Sequence, residues 1–123
     1  MNREFIPYEQ SIELIELGFD ESCLAFYNGR FLEPTNYDFD DCSTKDIGRC
    51  YVAPLYQQAF RWFRKKHELS SWIYNSDASK SFYRYFYTIL FNDRFVKAHE
   101  SADTYEDAEL ACLKKLIQIV KNK

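Results

Sequence analysis

Apolar residues near the start of the chain recur with the spacing of an amphipathic helix. Four of them are separated by four, three and four residues: Tyr8, Ile12, Ile15 and Phe19. This spacing places them on one face of a helix, with glutamates turned away from it. Gly18 stands where such a helix would end, because glycine readily adopts the left-handed conformation of a helix C-terminus. We therefore predict a first helix that ends near Gly18.

A hairpin signal follows this helix. The apolar run 23–27 leads into Asn28 and Gly29, and the short segment 30–32 comes next. An Asn-Gly pair supplies the two positive φ angles of a tight hairpin turn. The pattern predicts two antiparallel strands joined at Asn28 and Gly29.

Residues 33–49 show no hydrophobic period and are rich in Asp, Asn, Ser and Thr, with Pro34 and Gly48 as breakers. We predict a long acidic loop at about 33–49. Connections longer than about 12–15 residues are uncommon in compact domains unless they are functional or mobile. The loop is therefore a candidate partner surface, and its four aspartates are Asp38, Asp40, Asp41 and Asp46.

These aspartates also invite a calcium interpretation, because hard cations take several carboxylate oxygens from one short segment. The spacing does not fit an EF-hand. Counting from Asp38, the sixth position is Ser43 instead of Gly, and the twelfth is Arg49 instead of Glu. We predict a solvated loop with no metal ion, and no cofactor elsewhere in the chain.

A second helix is predicted from Pro54, because proline suits the first turn of a helix. Its apolar stripe consists of Leu55, Ala59, Trp62 and Phe63. Basic residues crowd the far end of this helix: Arg61, Arg64, Lys65, Lys66 and His67. Cations at a helix C-terminus complement the helix dipole, and this is the favoured structural explanation of the cluster.

Strands are predicted at 71–75 and 82–91, which are rich in aromatic and β-branched residues, and a further short strand at 94–98. A last helix should run from about Tyr105 to Lys121, capped by Thr104 and Asp107. The order α-β-β-α-β-β-(β)-α predicts an α+β fold, with a small antiparallel sheet packed by about three helices. We expect residues 1–123 to form a single domain.

The strand that begins at Phe82 carries aromatic residues on both faces. Alternation places one row of rings on one face: Tyr83, Tyr85 and Tyr87. If that face is exposed, its rings could stack single-stranded bases beside Arg84, Arg94 and the cluster Arg61 to Lys66. The four cations assigned to this candidate site are Arg61, Arg64, Lys65 and Arg84. The alternative, which we favour, buries the rings in the core and leaves the tyrosine hydroxyls at its rim.

The four cysteines are Cys23, Cys42, Cys50 and Cys112, and none forms a C-x-x-C pair. No secretory signal or membrane span is present in the sequence, which favours reduced cysteines in a cytoplasm, with Cys23 and Cys112 as small buried residues. Cys50 precedes the second predicted helix, whose N-terminus could lower a thiol pKa. A small enzyme around Cys50 is therefore a third functional interpretation, although no histidine spacing supports it.

Charge is distributed unevenly along the chain, whose net charge is −3. Residues 1–50 contain 4 Lys or Arg and 11 Asp or Glu, which gives −7, whereas residues 51–123 contain 12 and 8, which gives +4. A solvated surface of both signs explains this division. The alternative explanation of this division is a surface with one acidic and one basic part that orients a charged partner.

Three stretches resemble a group of small uncharacterised proteins found in phages and mobile elements of gut Bacteroidetes. They are residues 53–67, the Tyr-rich strand and residues 104–117, so the likeness covers roughly the last two-thirds of the chain. The resemblance implies a bacterial cytoplasm, including that of a phage-infected cell. It implies no activity and no functional residues.

Surface charge and aromatic residues are plentiful in this sequence, and no catalytic or metal-binding motif is present. We therefore expect a non-catalytic accessory protein that binds another macromolecule, with a protein as the partner. A nucleic-acid-binding module that uses the basic helix end and the tyrosine-rich strand is the alternative. The sequence does not specify an oligomeric state.

Overall fold

The computed structural model describes residues 4–34, 50–76, 84–92 and 94–123. Nine elements follow one another in these ranges: α1 (Tyr8–Glu16), β1 (Ala25–Asn28), β2 (Phe31–Pro34), β3 (Cys50–Ala53), α2 (Tyr56–His67), β4 (Leu69–Ser76), β5 (Arg84–Phe91), β6 (Arg94–Ala102) and α3 (Tyr105–Lys121). Both sheets in this part of the chain have three antiparallel strands, in the orders β2-β1-β3 and β4-β5-β6. The predicted α+β class is confirmed, with two small sheets in place of one.

The chain divides into two compact units, residues 1–59 and 60–123, with the boundary inside α2. Residues 51–59 carry no charge, so the boundary coincides with the division of charge described above. The first unit is the acidic one and the second is the basic one. That the chain forms a single domain stays a prediction.

Helix α1 ends as predicted, in a Schellman motif around Gly18. Gly18 has a φ of 106°, its N–H donates to the carbonyl of Ile15, and the Phe19 N–H donates to the carbonyl of Leu14, both at 3.0 Å. The buried face of the helix is less apolar than predicted. Gln10, Ser11 and Leu14 are its buried residues. Tyr8, Ile12 and Ile15 are only half-buried, so the predicted stripe lies at the edge of the packed face.

The predicted hairpin is present, but its turn lies one residue further along the chain. Asn28 is the last residue of β1 and pairs with Phe31, so the two turn residues are Gly29 and Arg30. Only Gly29 has a positive φ, of 62°. A type II′ turn requires a positive φ only at its first central residue, which here is Gly29. Asn28 therefore needs no positive φ and remains in the strand.

Strand β3, which we did not predict, pairs with β1 on the side opposite β2. It runs up to Pro54, whose carbonyl accepts a hydrogen bond of 2.9 Å from the Ile6 N–H, and Leu55 forms a bridge with Phe5. These pairings keep Pro54 and Leu55 outside the helix, so α2 begins at Tyr56 instead of at Pro54. Glu33 and Pro34 belong to β2, so the first two residues of the predicted loop form part of a strand. Residues 35–49 lie outside the described residues.

The core of the first unit forms where β1, β3 and the N-terminal segment meet. The buried Tyr27 donates its hydroxyl to the carbonyl of Ile6 at 2.7 Å. The Tyr8 ring meets the Tyr27 ring edge-on at 5.5 Å, and the Arg30 guanidinium lies 4.9 Å from the Tyr8 ring centre. Burial of the Tyr27 ring is favourable, but a buried hydroxyl without a hydrogen bond would be costly. The hydrogen bond to the carbonyl of Ile6 removes that cost.

In the second unit, β4 and β5 pair without interruption from Leu69 opposite Phe91 to Ser76 opposite Arg84. Strand β6, which was the least certain element of the predicted order, is a nine-residue strand. Phe91 pairs with Arg94 across a turn in which Asn92 has a φ of 49°. Asparagine tolerates this left-handed conformation better than most residues.

Helix α3 covers one face of this second sheet. It begins and ends where predicted, and the Thr104 hydroxyl accepts a hydrogen bond of 3.0 Å from the Asp107 N–H at its N-cap. Five residues of the helix are buried: Ala108, Cys112, Leu113, Leu116 and Ile117. The half-buried Leu110 and Val120 flank them.

Trp62 and Phe63 of α2 are buried as well, with 4% and 0% of their surface exposed. We expect Trp62→Ala to lower the free energy of unfolding by about 3–5 kcal/mol, because the truncation removes a large buried aromatic ring. Phe95→Ala is the matched control, since Phe95 is 68% exposed, and it should cost less than about 1 kcal/mol. Urea denaturation measures both. A loss below about 1 kcal/mol for Trp62→Ala would show that this ring is not part of the core.

Candidate functional site: an aromatic sheet face

Residues of β5 alternate between two environments. Tyr85 and Phe91 point toward α3, because the Tyr85 ring meets the Tyr105 ring at 5.9 Å and the Lys123 ammonium lies 5.7 Å from the centre of the Phe91 ring. Residues at even positions therefore occupy the face opposite α3. This second face is the candidate site.

Strand register identifies the residues that share this face, because directly paired residues of antiparallel strands lie on the same side of a sheet. Tyr74 pairs with Phe86, and their rings stack with centres 5.6 Å apart and an interplanar angle of 21°. Phe95 pairs with Leu90, and Trp72 pairs with Thr88. We call the following set the aromatic face: Trp72, Tyr74, Phe86, Leu90 and Phe95.

The aromatic face is substantially exposed. Trp72 is 46% exposed and Phe95 is 68% exposed, whereas Tyr74, Phe86 and Leu90 are half-buried. Thr88, near the centre of the face, is buried. A contiguous exposed apolar patch on a folded domain is typical of a site that binds another molecule. Tryptophan and phenylalanine are also enriched in protein interfaces.

The predicted row of tyrosines lies on the other side of the sheet. Tyr87 is buried with 4% of its surface exposed, and Tyr85 is half-buried against Tyr105 of α3. Tyr83 lies outside the described residues. Tyr87 is thus a core residue and is not available to stack a base. Sequence alternation showed that both faces are aromatic, but it did not show which of them a helix covers.

The structure separates the predicted cations into two groups. Arg61, Arg64 and Lys65 are exposed on α2. Arg84 begins β5, opposite Ser76 at the far end of β4. Seven residue steps along an extended strand span about 23 Å, so the backbone of Arg84 lies far from the end of the sheet where α2 leads into β4. The shared face predicted for the four cations stays a prediction, because the side chain of Arg84 lies outside what the structure describes.

A different basic cluster forms at the end of α2. The ring of His67 packs 4.9 Å from Trp62, and burial, together with the charges of Lys123 and Lys66, lowers its pKa. Lys123 approaches Phe91, which pairs with the exposed Arg94. We call Lys66, Arg94 and Lys123 the basic end. Lys66 and Arg94 were among the candidate cations in the sequence, but Lys123 was not, because the three residues come from separate parts of the chain.

The remaining predicted site residues are the loop aspartates and Cys50, and two further cysteines are buried. The four aspartates of the acidic loop, Asp38, Asp40, Asp41 and Asp46, lie outside the described residues. Cys50 begins β3, and the rest of that strand, Pro54 and Leu55 separate it from α2, so it is not in the first turn of that helix. Cys23 and Cys112 are buried, and burial raises the pKa of each thiol to about 12. Thiols with such pKa values are poor nucleophiles at neutral pH.

One further titratable group stands out in the second unit. Glu109 of α3 is half-buried, and burial together with the charge of Glu106 raises its pKa to about 7. No motif in the sequence singled it out. Within the described ranges, no three His, Cys, Asp or Glu residues are grouped so that they could hold a metal ion.

Comparison with family models, with curated proteins and with solved structures gave no match to this chain. In the part of the chain that the structure describes, no helix has the length and apolar character that a membrane crossing requires.

Glu109 gives a pH dependence that can be measured. Its folded-state pKa of about 7 lies above the ordinary value of 4.5, so the folded protein binds the proton more tightly than the unfolded chain does. This contribution to stability is present below pH 4.5 and is lost as the pH rises to about 7. We expect Glu109→Gln to raise the melting temperature above pH 7 and to leave it nearly unchanged below pH 4.5.

The matched control is Glu68→Gln, because Glu68 is exposed. It should shift the melting temperature little at either pH. Thermal denaturation across the pH range measures all three proteins. Parallel curves for the wild type and Glu109→Gln would contradict the raised pKa of Glu109.

Proposed function

We propose that this chain is a non-catalytic accessory protein that binds a protein partner through the aromatic face. The observation that carries the proposal is the exposure of Trp72 and Phe95 on a face whose neighbouring side chains are also apolar. Exposed rings of this kind are the usual anchors of protein interfaces. The setting we propose is the cytoplasm of a bacterium or of a phage-infected cell, following the resemblance described above.

The exposed area of the two rings indicates how much of the aromatic face a partner must cover. Burying the exposed parts of Trp72 and Phe95 would remove roughly 200 Å² of apolar surface from water, which is worth about 5 kcal/mol. Association itself costs on the order of 4–15 kcal/mol in lost freedom of motion. Two rings are therefore insufficient, and the partner must also contact Tyr74, Phe86 and Leu90.

A protein fits this face better than a nucleic acid does. Single-stranded nucleic acid binds where aromatic rings alternate with cations that follow the phosphates. The described side chains of the aromatic face carry no charge. The chain as a whole has a net charge of −3, which disfavours a polyanion. An apolar protein surface needs no cations on the aromatic face, and the net charge of the chain does not repel it.

Affinity capture with a matched pair of variants tests the proposal. Phe95→Ser removes an exposed ring from the aromatic face, and Phe31→Ser removes one of similar exposure, 77%, from β2 in the other unit. We expect the wild type and Phe31→Ser to retain the same protein from a nuclease-treated gut Bacteroidetes lysate, and Phe95→Ser to lose it. The retained protein, once purified, should bind the wild type at least about tenfold more tightly than Phe95→Ser, a loss of about 1.4 kcal/mol.

Equal binding by the wild type and Phe95→Ser would contradict the aromatic face as the binding surface. Circular dichroism of each variant excludes unfolding as the cause of a lost interaction. Both substituted rings are exposed, so we expect both variants to fold.

The basic end supports nucleic-acid binding as a second candidate. Lys66 and Lys123 both lower the pKa of His67, and the Lys123 ammonium lies 5.7 Å from the centre of the Phe91 ring, so cations and a ring lie close together. A labelled single-stranded oligonucleotide distinguishes the two candidates. Binding that weakens steeply with added salt, and that requires Lys66 and Lys123, would favour the nucleic acid over the protein partner.

A further inference from the structure

In the described part of the chain, each sheet has two outer strands, and three of these four are protected against pairing with another chain. Natural proteins protect such edges with short strands, charged residues, proline or irregular register. Strands β2 and β3 have four residues each, and β2 also contains Glu33 and Pro34. Strand β6 contains Arg94, Lys97 and Glu100, and its register with β5 shifts twice.

Strand β4 has none of these protections. Its eight residues, LSSWIYNS, include no charged residue, no proline and no glycine. Every one of them pairs with β5 in an unbroken register. In the described part of the chain, β4 is an outer strand of its sheet. Its outer backbone N–H and C=O groups can therefore receive a further extended strand.

A second copy of β4 complements this edge. When two antiparallel strands extend one sheet about a twofold axis, directly opposed residues must lie on the same face, so an axis can pass through Trp72. That axis places Tyr74 opposite Ser70 of the second copy, and Ile73 opposite Ser71 of the second copy. A large side chain then meets a small one at each of these positions, and Trp72 meets its own equivalent.

The absence of charged residues in β4 also permits this pairing of two β4 strands. Like charges directly opposite each other destabilise a strand pair, and β4 has no charged residue to repel its equivalent. Paired aromatic residues across strands are favourable, and Trp72 is exposed enough to form such a pair.

We propose that two copies of this chain associate through antiparallel pairing of β4 with β4 about a twofold axis at Trp72. The two three-stranded sheets then form one continuous sheet, and the two aromatic faces lie side by side. This association does not depend on the proposed protein partner, because it uses the edge of the sheet and leaves Phe95 exposed.

Charge substitution at Trp72 tests the axis directly. Trp72→Lys and Trp72→Glu each place like charges opposite each other in a pair, whereas a mixture of the two places opposite charges there. Analytical ultracentrifugation of the wild type should give twice the mass of one chain. Each variant alone should give the mass of one chain, and the mixture should regain the double mass.

Phe95→Lys is the control, because it introduces the same charge at an exposed ring on the opposite outer strand. It should retain the double mass. A wild type with the mass of one chain at every concentration would overturn the proposal. So would a Phe95→Lys variant that dissociates as completely as Trp72→Lys, because the contact would then be the sheet face instead of the edge.

Hydrogen exchange of the wild type tests the pairing without any substitution. Amides of β4 should become more protected as protein concentration rises, since pairing places their outer N–H groups in hydrogen bonds. Amides of β6 should not change. Exchange in β4 that is independent of concentration would overturn the proposal even if the Trp72 variants failed to fold.

Discussion

A three-stranded sheet presents two faces, and a single helix can cover only one of them. Helix α3 has 17 residues, which corresponds to a length of about 26 Å, close to that of an eight-residue strand. It packs along the face of Tyr85, Tyr87 and Ile89, and the last two of these are buried. Tyr87 and Ile89 are buried on the face that α3 covers, and the exposed rings of Trp72 and Phe95 lie on the opposite side, around the buried Thr88.

Local signals in the sequence predicted those parts of the fold that depend on neighbouring residues. The ends of α3 were correct because Thr104 caps the helix through the nearby Asp107, a contact of three residues' separation. The end of α1 was correct because Gly18 provides its left-handed residue. Strand β3 was missed because its partner β1 lies more than twenty residues earlier and its own apolar run is short. The start of α2 was misplaced because Pro54 and Leu55 pair with the N-terminal segment.

The candidate site shows the same limit more clearly. Alternation along β5 identified two aromatic faces. The tyrosine row was the candidate stacking surface, with burial of its rings as the favoured alternative, and Tyr87 is buried. Which face is covered depends on the side of the sheet against which α3 packs. The periodicity of β5 does not predict that side. Trp72 and Phe95 are on separate strands, and only the register of β4, β5 and β6 shows that they share a face. The grouping of Lys66 and Arg94 with Lys123 was not predicted for the same reason, since these residues come from separate parts of the chain.

The central claim is that Trp72 is exposed on the face opposite α3 while Trp62 is buried, and fluorescence can test it because the chain contains only these two tryptophans. Trp62→Phe leaves Trp72 as the single emitter, and Trp72→Phe leaves Trp62. In dilute solution, acrylamide should quench Trp72 efficiently, with emission at long wavelength, and it should quench Trp62 weakly, with emission at shorter wavelength. Equal and weak quenching of both residues would contradict an exposed aromatic face.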